Sequence, residues 1–267
     1  MRTRPAAAIS LLVTTLVGIG AFTWPFVATP STTATHGQDL PWLFAALLGL
    51  LALVLLAEAT ASGLDAKTVA VLGVLAAVGG ALRVLSAGTA GLEPLFVVLV
   101  LGGRVLGRSM GFLLGAVALL AGAFLTAGIG PWLPFQMIAA GWVTLGAACL
   151  PRAGGRREIW LLAAYGAVSA IGYGLVMNMW FWPFLATGSA PVGGGFVAGA
   201  SMGENLGRYA VFYVATSLGW DLPRAVLTAT LVLVTGRPVL RTLRRAVRRA
   251  AFEAPAVFEQ SPAPTGG

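Results

Sequence analysis

A single cysteine (Cys149), a single histidine (His36) and a single lysine (Lys67) leave little material for side-chain chemistry. Disulfide frameworks, zinc sites, haem ligand pairs and histidine-based triads all need more of these residues, so no redox centre, metal site or cofactor is expected. The lysine follows Ala66, whereas the phosphate loop of an ATPase needs glycine directly before lysine. The chain therefore does not hydrolyse ATP through such a loop. Charge is also scarce. Only 10% of the 267 residues are charged and 58% are hydrophobic, against about 25% charged residues in an ordinary soluble domain. That composition excludes a water-soluble globule and predicts an all-α, polytopic membrane helix bundle.

Eight apolar segments stand out, at 8–28, 41–59, 68–86, 93–107, 109–128, 131–150, 158–180 and 206–236. Of the 17 positive residues, all but Arg83, Arg208 and Arg224 fall at the termini, in alternate breaks between segments or, for Arg104, at the adjoining segment end. The other breaks, at 29–40, 87–92, 128–132 and 181–205, hold no lysine or arginine. By the positive-inside rule the arginine-rich side is cytoplasmic, as are both termini. The net charge of +8 then sets topology rather than binding nucleic acid. The first segment also fits a signal peptide cut between Ala28 and Ala34. The last is too long for one upright span and contains Gly219, Asp221 and Pro223. It divides into a helix over 204–219 held at the outer face and a span over 222–240, or else it is one long kinked helix.

Small residues recur at helical spacing in three stripes: Ala66, Ala70, Ala77 and Ala81; Gly103, Gly107, Gly111 and Gly115; and Gly166, Ala170 and Gly174. Each is either a close helix contact inside the bundle or a docking face for a partner. Ionisable residues in or beside apolar runs carry more weight, because a charge in hydrocarbon costs about 2.5–3.5 kcal/mol even on lenient scales. Arg83, Glu93, Glu204, Arg208, Asp221 and Arg224 all map toward the outer half. Glu204 with Arg208, and Asp221 with Arg224, have the spacing of local ion pairs; Arg83 has no local partner. Of the 8 tryptophans, Trp24, Trp42, Trp132, Trp180, Trp182 and Trp220 map to outer segment ends. An aromatic belt explains part of this bias. The excess, with Gln136, Asn178 and Asn205, fits an outward-facing pocket that stacks on a flat organic ligand. Past the last span, Arg241, Arg244, Arg245, Arg248 and Arg249 form a basic helical face that rests on anionic membrane lipid.

The runs AKTVAVLGVLAAVGGALRVL, PLFVVLVLGGRVLGRSMGFLLGA and GIGPWLPFQMIAAGWVTLGA resemble the substrate-binding S component of energy-coupling factor (ECF) vitamin transporters. So do YGLVMNMWFWPF and TSLGWDLPRAVLTATLVLVTGRPVL; together the resemblance spans 66–250. It implies a six-helix membrane core over 61–245 that captures a vitamin from outside and docks on a membrane scaffold subunit driven by two ATPases. Ala66, Ala70, Ala77 and Ala81 match the family's docking helix. The outer polar and aromatic residues Arg83, Trp132, Gln136, Asn178, Trp182, Glu204, Asn205, Trp220 and Asp221 become the binding candidates, with cobalamin the first vitamin named. Residues 1–60 add an N-terminal pair of apolar helices beyond that core, and 246–267 form a cytoplasmic tail expected to be disordered. Three other readings remain: a stand-alone secondary transporter, which needs a midplane charge relay; a membrane-embedded enzyme built on Ser201, which lacks a nearby histidine; and a structural subunit without a ligand.

Overall fold

The computed structural model describes residues 5–27, 45, 48–49, 52–53, 66–86, 91–185 and 189–252. These residues form helices and no strand. In chain order they are α1 (Pro5–Thr23), α2 (Ala66–Val84), α3 (Leu95–Leu106), α4 (Arg108–Leu125), α5 (Leu133–Cys149), α6 (Gly155–Phe181), α7 (Met202–Thr216) and α8 (Leu218–Phe252), with single 3-10 turns at Trp24–Phe26 and Trp182–Phe184. Four segments are long and apolar enough to cross a membrane: Ala8–Phe26, Arg108–Leu125, Gly155–Phe184 and Leu218–Arg248. The apolar helices Val69–Val84, Leu95–Leu106 and Leu133–Cys149 are shorter. Most of the second apolar segment, the signal-cleavage region and residues 253–267 lie outside the described residues.

α3 and α4 lie directly on α5. A methyl group on Gly103 would come within 2.3 Å of the Thr144 carbonyl oxygen, and one on Gly115 within 2.3 Å of the Ala140 oxygen. In lipid the hydrophobic effect does not drive helices together, so such close backbone approach carries the association through dispersion contacts. Gly103, Gly111 and Gly115 thus pack internally, on either side of a turn at Gly107, whose φ of 84° suits glycine. The stripe on α6 is internal as well: Gly166 faces Thr228 and Gly174 faces Asp221, so α6 and α8 are closely paired. The α2 stripe differs. Ala70, Ala77 and Ala81 are exposed, together with Gly73, Val74 and Val78, while Leu72, Ala76, Gly79 and Gly80 pack inward. Ala66 opens α2, and its side chain lies outside the described residues.

α1 joins the bundle through Phe22, which is buried and meets Phe135 edge-on at 5.1 Å. At the C-terminal end the expectation for 204–236 needs correction. The break falls at Ser217, between α7 and α8, and Gly219, Asp221 and Pro223 sit inside the first turns of α8. Pro223 lies past the unpaired first amides of α8, so the helix runs on with the hydrogen bond to the Gly219 carbonyl missing in its second turn. α8 then passes the expected end at 240 and the expected start of the tail, running to Phe252. A single kinked helix over 206–236 is excluded by the same break.

The end of the bundle rich in arginine holds a charge cluster that the sequence did not signal. Glu158, buried at the start of α6, accepts from Arg104 Nε at 2.9 Å and from Arg244 NH2 at 2.6 Å. Arg104 also donates to the Leu150 and Pro151 carbonyls at 2.8 and 3.0 Å, satisfying groups left open at the end of α5. Arg104 and Arg244, read above as topology and lipid anchors, therefore also tie α3, α5, α6 and α8 together.

Candidate functional site

The opposite end, poor in arginine, contains a cavity of about 490 Å³ lined from α2, α3, α4, α5, α6, α7 and α8. Its geometry begins with two glycines. Gly91 has φ 85°, and a methyl group there would lie 2.1 Å from the Trp220 carbonyl oxygen, so only glycine lets the connection before α3 rest on the start of α8. That contact brings Glu93 to Arg224. Gly174 does the same from α6: a methyl group would lie 2.0 Å from Asp221 Oδ2.

Arg224 is the hub of the acidic wall. It donates to Glu93 through Nε at 3.1 Å and through NH2 at 3.2 Å, and its NH1 donates to Asp221 Oδ1 and, at 3.4 Å, to the Ala170 carbonyl. Its guanidinium also lies over the rings of Phe96 and Tyr173, with centroids 5.5 and 5.7 Å away. Tyr213 of α7 donates to Asp221 Oδ2 at 2.8 Å. Burial, then the hydrogen bond to Asp221 and its charge, push the Tyr213 hydroxyl well above its ordinary pKa, so it stays a donor. Asp221 is thereby satisfied on both oxygens.

The facing wall is less complete. Arg83 donates to Gln136 Oε1 at 2.8 Å and to the Leu119 carbonyl at 3.4 Å, and among the described residues it has no carboxylate partner. Asn178 donates back to Gly174 at 2.8 Å within α6, and its oxygen accepts from no described residue. Phe96, Leu119, Met177, Phe181, Phe212 and Trp220 supply the apolar surface.

Of the residues expected to bind a ligand, Arg83, Gln136, Asn178, Trp220 and Asp221 line this cavity. The others stand elsewhere. Trp132 is exposed and donates to the Gly128 carbonyl at 3.1 Å. Trp182 is buried among Phe26, Phe196 and Tyr209 and donates to the Gly194 carbonyl at 2.7 Å. Glu204 pairs with Arg208 at 2.8 Å on the exposed side of α7, as its spacing predicts. Asn205 is buried and holds Val197 by both backbone groups, accepting at 3.2 Å and donating at 2.9 Å. Trp182 and Asn205 thus hold the 189–201 connection rather than lining the cavity. Trp24 and Trp180 join the same aromatic cluster through Phe184, and Trp42 lies outside the described residues. Sequence reasoning treated Asp221 and Arg224 as a local pair and did not link them to Glu93, Tyr173 or Tyr213.

The chain matches no family model, no curated protein and no solved structure.

Proposed function

We propose that this chain is the substrate-binding membrane subunit of an ECF-type transporter, which captures a vitamin or vitamin-like micronutrient from outside the cell. The observation that carries the reading is the cavity. Four helices and the connection before α3 bring ionisable or amide side chains to one space at the arginine-poor end, the outer end under the positive-inside rule. Charges in such a place are costly and are characteristic of substrate sites. A volume of about 490 Å³ lies within the range of small-molecule sites, about 300–1,000 Å³. It suits a compact vitamin better than cobalamin, whose corrin and nucleotide loop form a much larger body.

Two further features support the reading. The resemblance to S components covers 66–250 and places its six-helix core over α2 to α8, with α7 at the outer face. The small-residue face of α2, with Ala70, Ala77 and Ala81 exposed, offers a surface on which a scaffold helix can approach closely. ATP hydrolysis would then come from two separate ATPase subunits, and ligand affinity must differ between the outward and inward states for coupling to occur.

Mass spectrometry of small molecules retained by the detergent-purified full chain tests the capture reading. One micronutrient at near one per chain is the expected result. A protein that retains nothing, and that no vitamin in a broad panel stabilises against heat, would overturn it.

A further inference from the structure

The distribution of partners around the cavity narrows the ligand class, and this step rests on the capture reading above. Each charged group on the acidic wall is already answered: Arg224 binds Glu93 with two nitrogens and Asp221 with a third, and Tyr213 completes Asp221. Nothing there calls for a cationic ligand. Arg83 is different. Its only acceptors among the described residues are an amide oxygen and a main-chain carbonyl, both neutral. A guanidinium presents five donors in a planar fork that matches a carboxylate or phosphate, and two distances account for only part of that capacity. The side-chain amide nitrogen of Gln136 and the hydroxyl of Tyr173, both in the cavity lining, likewise donate to no described residue, so further donors converge on the same space.

We infer that the ligand is a monoanion, a compact organic molecule whose single carboxylate is taken by Arg83 and Gln136 while its body lies against Phe96, Met177, Phe212 and Trp220. A carboxylate fits better than a phosphate monoester. The latter carries about −1.5 to −2 at neutral pH, and only one cation in the cavity lacks an anionic partner, while Glu93 and Asp221 line the same space and oppose a second negative charge. A bound carboxylate would match the Arg83 charge, which stands near the end of an apolar helix.

The test uses the full chain in detergent and matched pairs that differ at the acid group: nicotinate and nicotinamide, biotin and biotin amide, pantothenate and pantothenol, 4-aminobenzoate and 4-aminobenzamide. Binding is read by titration calorimetry and by Trp220 fluorescence, with Trp220→Phe as the control for the optical signal. The expected result is that at least one acid binds roughly tenfold to a hundredfold more tightly than its neutral partner, the range of a charge-assisted hydrogen-bonded contact. Arg83→Gln should remove that preference, and Arg83→Lys, which keeps the charge and lowers the risk of misfolding, should retain part of it. A neutral or cationic compound that binds as well as any acid, or an acid preference unchanged in both variants, overturns the inference and leaves capture standing. Absence of binding by either member of every pair, in a protein that also retains nothing on purification, takes both down.

Discussion

Gly174→Ala is the sharpest single test of the cavity wall. The added methyl carbon would lie 2.0 Å from Asp221 Oδ2, 2.1 Å from Oδ1 and 2.2 Å from Cγ, well inside van der Waals contact. The carboxylate must move by more than an ångström, and in doing so it leaves the hydrogen bond from Tyr213 and loosens the one from Arg224. Overpacking costs about 1–3 kcal/mol, and disrupting a buried ion pair about 3–5 kcal/mol. These overlap, because moving the carboxylate relieves the clash, so the expected loss is about 3–5 kcal/mol. At roughly 2–4 °C per kcal/mol, the melting temperature in detergent should fall on the order of 10 °C. Gly172→Ala is the matched control, since it lies on the same helix with nothing within 4 Å of the added carbon. It should be neutral or raise stability by up to about 1 kcal/mol through helix propensity. Differential scanning fluorimetry of the two variants decides the matter, and equal melting temperatures would refute the geometry. In a double-mutant cycle, Gly174→Ala should cost far less in an Asp221→Ala background, because the atoms it strikes are gone.

Other consequences can be measured with the same protein. Glu158→Gln removes the charge shared by Arg104 and Arg244 and should cost about 3 kcal/mol; Arg104→Met combined with Glu158→Met should recover part of the loss, by thermal unfolding. Gly115→Ala, which drives a methyl against the Ala140 carbonyl at 2.3 Å, should destabilise strongly, while Gly73→Ala on the open face of α2 should not. Ala77→Trp, on that same exposed face, should leave thermal stability unchanged and, under the proposed function, abolish co-purification with a scaffold subunit without weakening ligand binding. Because the Tyr213 hydroxyl is pushed above its ordinary value, the folded state holds a proton that the unfolded chain gives up near pH 10. Its stabilising contribution is complete below that pH and declines above it, so melting temperature should drop between pH 9.5 and 11, with a shallower drop in Tyr213→Phe.

The helices were legible because lipid demands apolar runs of a set length, and arginines and glycines mark where they stop. That Arg83, Gln136, Asn178 and Asp221 share one cavity was foreshadowed because polar groups stand out against such runs, and Trp220 because it ends one. The link from Glu93 to Arg224 was not, since 131 residues of chain separate them and no local spacing records the contact. Tyr173 and Phe96 were hidden among apolar neighbours, where an aromatic that flanks a guanidinium reads like any packing residue. Trp182 and Asn205 mislead in the opposite sense: their polar atoms look available, but both are spent on main-chain groups of the 189–201 connection. The three small-residue stripes share one spacing, and only the fold separates the two that pack inward from the one on α2 that does not.

The pairing of α6 with α8 has a mechanical meaning. The two are fastened at both ends, by Gly174 against Asp221 beside the cavity and by Glu158 with Arg244 at the far end. α8 is unbroken between those points, a distance of about 35 Å at 1.5 Å per residue. Two rods pinned twice cannot slide past each other without breaking a pin. Arg83 on α2, across the cavity, is hydrogen-bonded to α4 and α5 and not to this pair. α2 thus carries both the exposed small-residue face and the cation that has no carboxylate partner among the described residues, two features on one helix outside the pinned pair.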